Sequence, residues 1–453
     1  MRTIRLIAAC MLLALGATAF SAEDAKDSPF GFGFQLGLGT ETLSADPTNA
    51  ASSMVTFQKL ALQPDISFGK FGLGLDITVH FNLKLGSGGE GVEFYQPDWI
   101  PEKAGKSFLE LYLPKIAYVR WGQKGEPLFA KLGSFDDGTL GNGFIMGNYS
   151  NTRFLPTTRI FGAALDLDGK LFNFPIVGIE TFVGNLARFD LIGTRIYVRP
   201  LTFTELPILK ELQVGATVAA DRDPQLYDGI DGNDADSDSV AVFGGDLRLP
   251  IIANSMVVMA AFGDVAFQNG GRWGSAVGVG GQFFSFMPYT AQIRLLGSGF
   301  IPTYFDGSYD LFRSLKYASI TTTPSSSDPS FGWLARLGFS LINNLVIFSV
   351  TADGSFKAPP ANGGINDYPH IRGVFTLGEG LLAGFSIDAL YEKYFLGSTG
   401  DFWGDLVSAQ NAVIGAKVNY RTGPAMLSLL YNLYYDPTSG FIVTSSLMSS
   451  IRF

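Results

Sequence analysis

The chain has 453 residues and a formal net charge of −9, which makes it a poor partner for nucleic acid. Charged residues make up only 16%, against roughly 25% in ordinary soluble domains, while Gly (55) and Phe (39) are abundant. No uninterrupted apolar stretch reaches the ~20 residues that a membrane helix needs, which excludes a helical membrane protein.

The first element is a predicted secretory signal at residues 1–19. Arg2 and Arg5 form a basic start, an apolar segment follows, and Ala17-Thr18-Ala19 is a small-residue cleavage site, with cleavage as late as residue 22 as the alternative. Residues 20–29 then form a short periplasmic leader. The single cysteine, Cys10, lies inside the signal, so the mature chain is predicted to have no disulfide and no thiol chemistry.

From residue 30 onward, apolar and polar residues alternate. Every odd position from Phe71 to Leu85 is apolar, whereas the even positions carry Gly, Asp, Thr, His, Asn and Lys, and residues 30–39 behave in the same way. Successive side chains of a strand point to opposite faces, so one face is hydrocarbon and the other is small or polar. Recurrence of this pattern to the last residue, behind an export signal, predicts a transmembrane β-barrel.

The predicted strands are separated by short turns and longer outer loops in strict alternation. The predicted turns are 69–70, 123–126, 168–169, 200–207, 250–254, 285–288, 342–344, 378–380 and 422–423. The predicted outer loops are 44–53, 86–106, 136–156, 185–189, 222–237, 268–272, 298–330, 356–368, 394–410 and 436–439. Between Leu109 and Leu186 the pattern is interrupted, with Pro114 inside one apparent strand, so about 20 strands are predicted and counts from about 16 to 20 remain open.

The end of the chain carries a distinctive pattern. Phe441, Val443, Leu447, Ile451 and Phe453 share one parity, and Phe453 is the last residue. This pattern resembles the C-terminal strand of the bacterial outer-membrane β-barrel (porin-like) superfamily. The resemblance implies an integral protein of the cell outer membrane that contacts its lipid. It also implies that Ile451 and Phe453 serve as the assembly signal for the barrel-assembly machinery.

We therefore predict an all-β protein in which residues 30–453 form a single large antiparallel transmembrane barrel. Two outer loops, 136–156 and 298–330, are long enough to fold into the lumen and constrict it, and display on the cell surface is the alternative for each.

Charged residues at the polar positions of the alternating strands are the candidates for the pore lining, because an ionised group facing lipid costs up to several kcal/mol at the bilayer midplane. They are Asp76, His80, Lys84, Arg195, Arg199, Asp246, Arg248, Arg294, Arg336, Arg372, Asp388, Glu392, Lys417 and Arg421. At about 20 strands a barrel is too wide for side chains to fill, which favours an aqueous route over a blocked network of ion pairs.

Metal and catalytic chemistry have little support. Asp231, Asp234, Asp236 and Asp238 are a weak metal candidate in an acidic stretch, but Ser239 replaces the glycine of a calcium loop. The two histidines, His80 and His370, fit hydrogen-bonded positions in a polar lumen, and no Gly-x-Ser-x-Gly elbow is present. No cofactor and no enzymatic activity are predicted.

The wide barrel with its charged lining predicts a porin or channel for passive diffusion of small polar solutes, with inward loops setting size and the lining setting charge preference. A surface adhesin or structural outer-membrane protein is one alternative. A transporter of hydrophobic compounds is another, although the 20–29 leader is short for the N-terminal hatch that such a transporter needs.

Overall fold

The computed structural model describes residues 30–49, 52–84, 91–206, 208–227, 238–322, 329–359, 363–436 and 440–452. It is a closed antiparallel β-barrel of 20 strands, at the upper end of the predicted range. The predicted signal and leader lie outside the described residues, so these boundaries stay predictions.

Twenty-two strand segments build the barrel and one of its loops. They are β1 (Phe30–Ser44), β2 (Met54–Phe68), β3 (Phe71–Leu75), β4 (Ile77–Lys84), β5 (Gly91–Phe94), β6 (Ile116–Trp121), β7 (Leu128–Gly133), β8 (Gly162–Asp168), β9 (Val177–Val183), β10 (Leu191–Val198), β11 (Gln213–Asp221), β12 (Val240–Ala253), β13 (Val257–Gln268), β14 (Arg272–Phe283), β15 (Met287–Leu296), β16 (Ser330–Leu341), β17 (Val346–Ser355), β18 (His370–Leu382), β19 (Phe385–Lys393), β20 (Ala412–Thr422), β21 (Ala425–Asp436) and β22 (Gly440–Arg452).

The segments β3 and β4 are one barrel strand interrupted at Asp76, since both pair with β2. The short β5 pairs with the far end of β4 and belongs to the second long loop. The first and last strands close the cylinder, with Gln35 of β1 opposite Arg452 of β22 and Glu41 opposite Ser446. Closure leaves no open sheet edge, which is what a lipid environment demands of backbone polar groups.

The alternation predicted from the sequence becomes the inside and outside of the wall. On β10, Leu191, Gly193, Arg195 and Tyr197 are buried and point inward, whereas Ile192, Ile196 and Val198 are exposed on the exterior. The same parity places Phe30 and Phe32 on the outside of β1. Apolar side chains therefore cover the surface that meets acyl chains, while the ionised groups point into the bore.

Four short helices lie in the long loops: α1 (Pro101–Ala104), α2 (Phe108–Tyr112), α3 (Tyr309–Thr322) and α4 (Phe402–Val407). Turns of 3₁₀ helix occur at Gln96–Asp98, Leu113–Lys115, Gly169–Phe172, Leu209–Glu211 and Asn269–Gly271. In the described part of the chain, no helix combines the length and hydropathy required to cross a lipid bilayer.

Several boundary predictions are wrong in detail. The turn predicted at 285–288 lies at 284–286, because β15 begins at Met287. Residues 378–380 are not a turn: β18 continues to Leu382 through a register shift, and the turn is 383–384. The apparent strand at Pro114 is instead α2 followed by a 3₁₀ turn, which extends the second long loop to residue 115. The turn predicted at 250–254 lies at 254–256, because β12 absorbs Pro250 at a β-bulge.

The seam between β1 and β22 depends on a small residue. A Cβ built on Gly39 would overlap the backbone oxygen of Leu447 on the neighbouring strand. We expect Gly39→Ala to destabilise the barrel by about 1–3 kcal/mol, because backbone cannot move aside as a side chain can. The loss should appear as a smaller fraction of compact barrel in an unheated SDS gel. Gly263→Ala is the control, since its Cβ would meet only ordinary contacts from 3.6 Å; equal losses in both would contradict the seam argument.

Candidate functional site

Two long loops fold into the bore. They are the third long loop, residues 134–161 (L3), and the seventh, residues 297–329 (L7), of which 323–328 lie outside the described residues. L3 crosses the lumen: the Leu155 carbonyl accepts hydrogen bonds from Asn432 on β21 (2.6 Å) and Thr444 on β22 (3.2 Å). At its other end, Asn142 Nδ2 donates to Asp264 of β13 at 3.2 Å. Of the two alternatives left open by the sequence, both loops therefore follow the inward one.

L3 and L7 are joined to each other by backbone hydrogen bonds. Thr303 N donates to the Phe144 carbonyl at 2.7 Å, and Gly147 N donates to the Phe305 carbonyl at 3.1 Å. Around this short parallel contact lies a buried apolar cluster shared by both loops and the inner wall. Its members include Phe144, Met146, Tyr149, Phe182, Leu191, Val242, Ala266, Phe300, Tyr304, Phe305 and Phe312. The two loops thus form one packed layer across the bore.

Helix α3 is held to the wall by a buried cluster of charges, which we call the Arg313 cluster (Arg313 with Asp190, Asp221 and Asp310). Arg313 Nη2 contacts Asp221 Oδ1 at 2.6 Å and Nη1 contacts Asp190 Oδ2 at 2.9 Å, with Asp310 at 3.9 Å. Tyr149 of L3 donates to Asp310 at 2.9 Å. Burial raises the pKa of the Asp310 carboxyl to about 7, and the charges of Asp190 and Asp221 act in the same direction, against the lowering effect of Arg313.

A second polar cluster holds L7 on the other side. His370 of β18 lies between two carboxylates, with Nδ1 2.9 Å from Asp353 Oδ1 and Nε2 3.0 Å from Glu392 Oε1. Ser308 of L7 donates to Glu392, and Tyr394 donates to the same carboxylate at 3.1 Å. Glu392, a candidate for the pore lining, and His370, a candidate for a hydrogen-bonded position in the lumen, are therefore brought together at the junction of wall and loop.

His80 contacts carboxylates that are distant from it in the sequence. Its Nδ1 lies 3.0 Å from Asp98 of the second long loop, and its Nε2 lies 3.6 Å from Glu41 of β1, which pairs with Lys59 at 2.6 Å. Glu41, Lys59 and His80 lie on the inner wall of β1, β2 and β4. Their contact with Asp98 holds the second long loop against this wall. Asp76 pairs instead with Arg159 of L3 at 2.5 Å.

Several predicted lining arginines are neutralised by carboxylates on the inner wall. Arg195 contacts both Asp246 (2.6 Å) and Glu180 (2.9 Å). Arg199 pairs with Asp168 at 2.6 Å, Arg294 with Asp353 at 3.0 Å, and Arg421 with Glu379 at 2.7 Å. These pairs link nearby strands of the wall and neutralise most of its charge at these positions. They correspond to the network of ion pairs that the sequence allows as the alternative to an aqueous route.

Other predicted lining residues remain open to water. Arg248, Arg336, Asp388 and Lys417 have the inward parity of their strands and are exposed. Arg372 is half-buried beside Glu392, with 4.0 Å between Arg372 Nε and Glu392 Oε2. The side chain of Lys84 lies outside what the structure describes. The lumen therefore contains both a paired and an unpaired population of charges.

A cavity of about 310 Å³ lies on the inner wall of β1, β2, β3 and β6. Its polar lining is Gln35, Gln63, Asp65, Asp76, Tyr118 and Arg159. Two hydrogen-bonded pairs border it, Tyr118 with Asp65 (2.6 Å) and Arg159 with Asp76 (2.5 Å). Polar groups thus border free space next to L3.

The remaining candidates fall largely outside the described residues. Asp231, Asp234 and Asp236 are among these, and Asp238 is half-buried two residues before β12. Within the described ranges, no three His, Cys, Asp or Glu side chains are grouped so that they could hold a metal ion. Ile451 lies on the exposed face of β22, whereas Phe453 is not described.

The residues missed by sequence reasoning include those of the Arg313 cluster and the two L3 arginines, Arg153 and Arg159. Arg313 lies 92 positions from Asp221, and nothing in the local pattern links the two. A signal was present in one respect: α3 carries Asp310, Arg313 and Lys316 on a segment otherwise rich in apolar residues, which is unusual for a freely solvated loop.

No family model matches the sequence, and no curated protein matches it. Among solved structures, the chain is similar to a BenF-like porin from Pseudomonas fluorescens Pf-5, with 10% identity and a TM-score of 0.33 over 94% of this chain and 98% of that one. The chain is also similar to OpdK of Pseudomonas aeruginosa, solved with vanillate, with 10% identity and a TM-score of 0.33 over 93% of this chain and 98% of OpdK. For CdiB from Acinetobacter baumannii, the identity is 7% and the TM-score is 0.27 over 93% of this chain. The chain spans only 60% of the length of CdiB.

The class of the protein follows from the barrel itself. A closed antiparallel cylinder with hydrocarbon outside and ionised groups inside is stable only with its exterior in lipid. The chain is a transmembrane β-barrel protein, as the sequence predicted.

Proposed function

We propose that the protein is an outer-membrane channel through which small polar solutes diffuse passively. One observation carries the proposal: Arg336, Asp388 and Lys417 lie in the middle of their strands, point into the bore and are exposed. Charged groups at that depth need water, because an unpaired ion in a dry interior costs several kcal/mol. The bore beside the loop layer is therefore aqueous, and the hydrated charges line a route for polar molecules.

The loop layer sets the size of what passes. A barrel of 20 strands would be wide if empty, and L3 and L7 fill much of its cross-section with a packed core. A polar wall above and below such a constriction discriminates by both size and charge. Passive diffusion needs no catalytic group, which agrees with the prediction that the protein is not an enzyme.

The route to the membrane is also part of the proposal. Residues 1–19 would direct export, residues 20–29 would remain as a periplasmic leader, and the last strand would be recognised by the barrel-assembly machinery through Ile451 and Phe453. Outer-membrane lipid would then cover the apolar exterior.

Replacing residues 298–329 by a short Gly-Ser turn should raise single-channel conductance by about twofold or more, since half of the loop layer is removed from a wide barrel. The measurement is planar-bilayer current in KCl, with liposome swelling by neutral sugars as the readout of size. A matched control shortens residues 397–407, which contain α4, by the same approach and keeps Tyr394, which contacts L7. Steady current in the intact chain supports a channel, whereas silence in both the intact chain and the L7 variant favours a surface adhesin.

A further inference from the structure

Two arginines flank a threonine on three adjacent strands. The strand register places Arg336 of β16 opposite Thr351 of β17, and Thr351 opposite Arg372 of β18. All three side chains share the inward parity. Strands lie about 4.8 Å apart, so the two arginines leave the wall roughly 10 Å from each other. Long side chains at that separation converge readily on a small group held between them.

Few negative charges neutralise the two arginines of this row (Arg336, Thr351 and Arg372). Arg336 is exposed and hydrogen bonds the Ser349 hydroxyl at 3.2 Å, with no ion-pairing carboxylate among the described residues. Arg372 Nε is buried, has no hydrogen-bond partner in the part of the chain that the structure describes, and lies 4.0 Å from Glu392. Glu392 is already engaged by His370, Ser308 and Tyr394. The positive charge of the row is therefore in excess.

A third arginine reaches the same point from L3. Arg153 Nε donates to the Gly307 carbonyl of L7 at 2.6 Å. A Cβ built on Gly307 would lie 3.4 Å from Arg153 Nη2 and 3.4 Å from Arg372 Nε, so both guanidinium groups converge on this glycine. The wall row and the loop layer thus meet in a cluster of three guanidinium groups (Arg153, Arg336, Arg372), and Arg336 opens this cluster to the aqueous bore.

We propose that Arg336, Thr351 and Arg372, backed by Arg153, form a binding site for the anionic group of a solute, a carboxylate or a phosphate. The proposal rests on the channel function above and names the class of solute that would be retained. Guanidinium groups present forked N–H donors that match the oxygens of carboxylate and phosphate, and the threonine hydroxyl supplies a further donor between them. Like charges held together at a loop–wall junction are relieved when an anion joins them.

The experiment is a calorimetric titration of the detergent-purified full chain with succinate and, separately, with inorganic phosphate at low ionic strength. Saturable binding is expected, and Arg336→Gln or Arg372→Gln should weaken it at least about tenfold, because each removes a charge-assisted, forked contact. Arg336→Lys keeps the charge and should restore part of the affinity. Binding of succinate alone identifies a carboxylate ligand, and binding of phosphate alone identifies a phosphate ligand; either supports the site.

The matched control is Arg120→Gln. Arg120 is an exposed, inward-facing arginine on β6, and its strand lies on the opposite side of the barrel from β16. Its loss should leave the affinity within about twofold, because screening limits the reach of a distant charge. Equal weakening in Arg120→Gln, or no saturable binding of either anion, would overturn the proposal.

Bilayer current separates this inference from the channel function. If succinate binds but the protein carries no current, the anion site is supported and the channel function is contradicted. If the protein carries current but binds neither anion, the channel function is supported and the site is contradicted.

Discussion

Replacing Arg313 by methionine should release helix α3 from the lumen wall. The arginine is the counter-charge for Asp190 and Asp221, which are buried with it, and the third carboxylate, Asp310, lies 3.9 Å away. Methionine would fill similar space but leave three buried carboxylates facing one another. Breaking a buried ion pair from one side costs about 3–5 kcal/mol, which is comparable with the energy available to hold one helix in place.

The measurement is hydrogen exchange of the amides of residues 309–322, combined with single-channel recording. We expect faster exchange throughout α3 and frequent transitions to a higher conductance. Arg188→Met is the control, because Arg188 pairs with Glu110 at the loop surface and is partly exposed. A solvent-exposed pair contributes about 0–1 kcal/mol, so this variant should behave like the parent. If α3 stays protected in Arg313→Met, the cluster is not what holds the loop.

The fold was accessible from sequence because one periodicity decides it. A strand that meets lipid on one side and water on the other must alternate, and residues 71–85 do so without a miss. The turns followed from Gly, Asn and Pro, except where the same residues serve another purpose. Gly378 and Gly380 mark an irregularity within β18 rather than its end, since a register shift also favours glycine.

The lumen was less accessible, because its contacts join residues far apart in the chain. Asp221 ends β11 beside the outer loop predicted at 222–237, yet its partner is Arg313 on another loop. The parity of a strand residue indicates that it points inward but not whether a carboxylate lies opposite. Arg195 and Arg336 are both inward-facing arginines, and only the register of neighbouring strands gives Arg195 an ion pair and leaves Arg336 without one among the described residues. Alternation thus predicts which face of the sheet a residue lies on, whereas contacts with distant residues decide whether its charge is neutralised.

Docking of α3 should weaken as pH rises from about 4 to about 7. The pKa of Asp310 is raised from 3.8 to about 7 in the docked state, so the docked helix holds a proton that a released, hydrated helix loses. The docked state therefore binds more protons, and its stability falls as pH increases through this window; the loss is complete above pH 7. At 1.36 kcal/mol per unit, the limit is roughly 4 kcal/mol. Protonated Asp310 leaves Arg313 facing Asp190 and Asp221, with the Tyr149 hydroxyl close by.

Exchange protection of α3, corrected for the intrinsic pH dependence of amide exchange, should be higher at pH 5 than at pH 8, and transitions to higher conductance should be rarer at pH 5. Asp310→Asn should hold the protection near its acidic level across the range, because the amide cannot ionise. Asp46→Asn, in the exposed first loop, is the control and should retain the full pH dependence. Protection that rises with pH, or an Asp310→Asn profile equal to the parent, would show that other groups govern the closure of the bore.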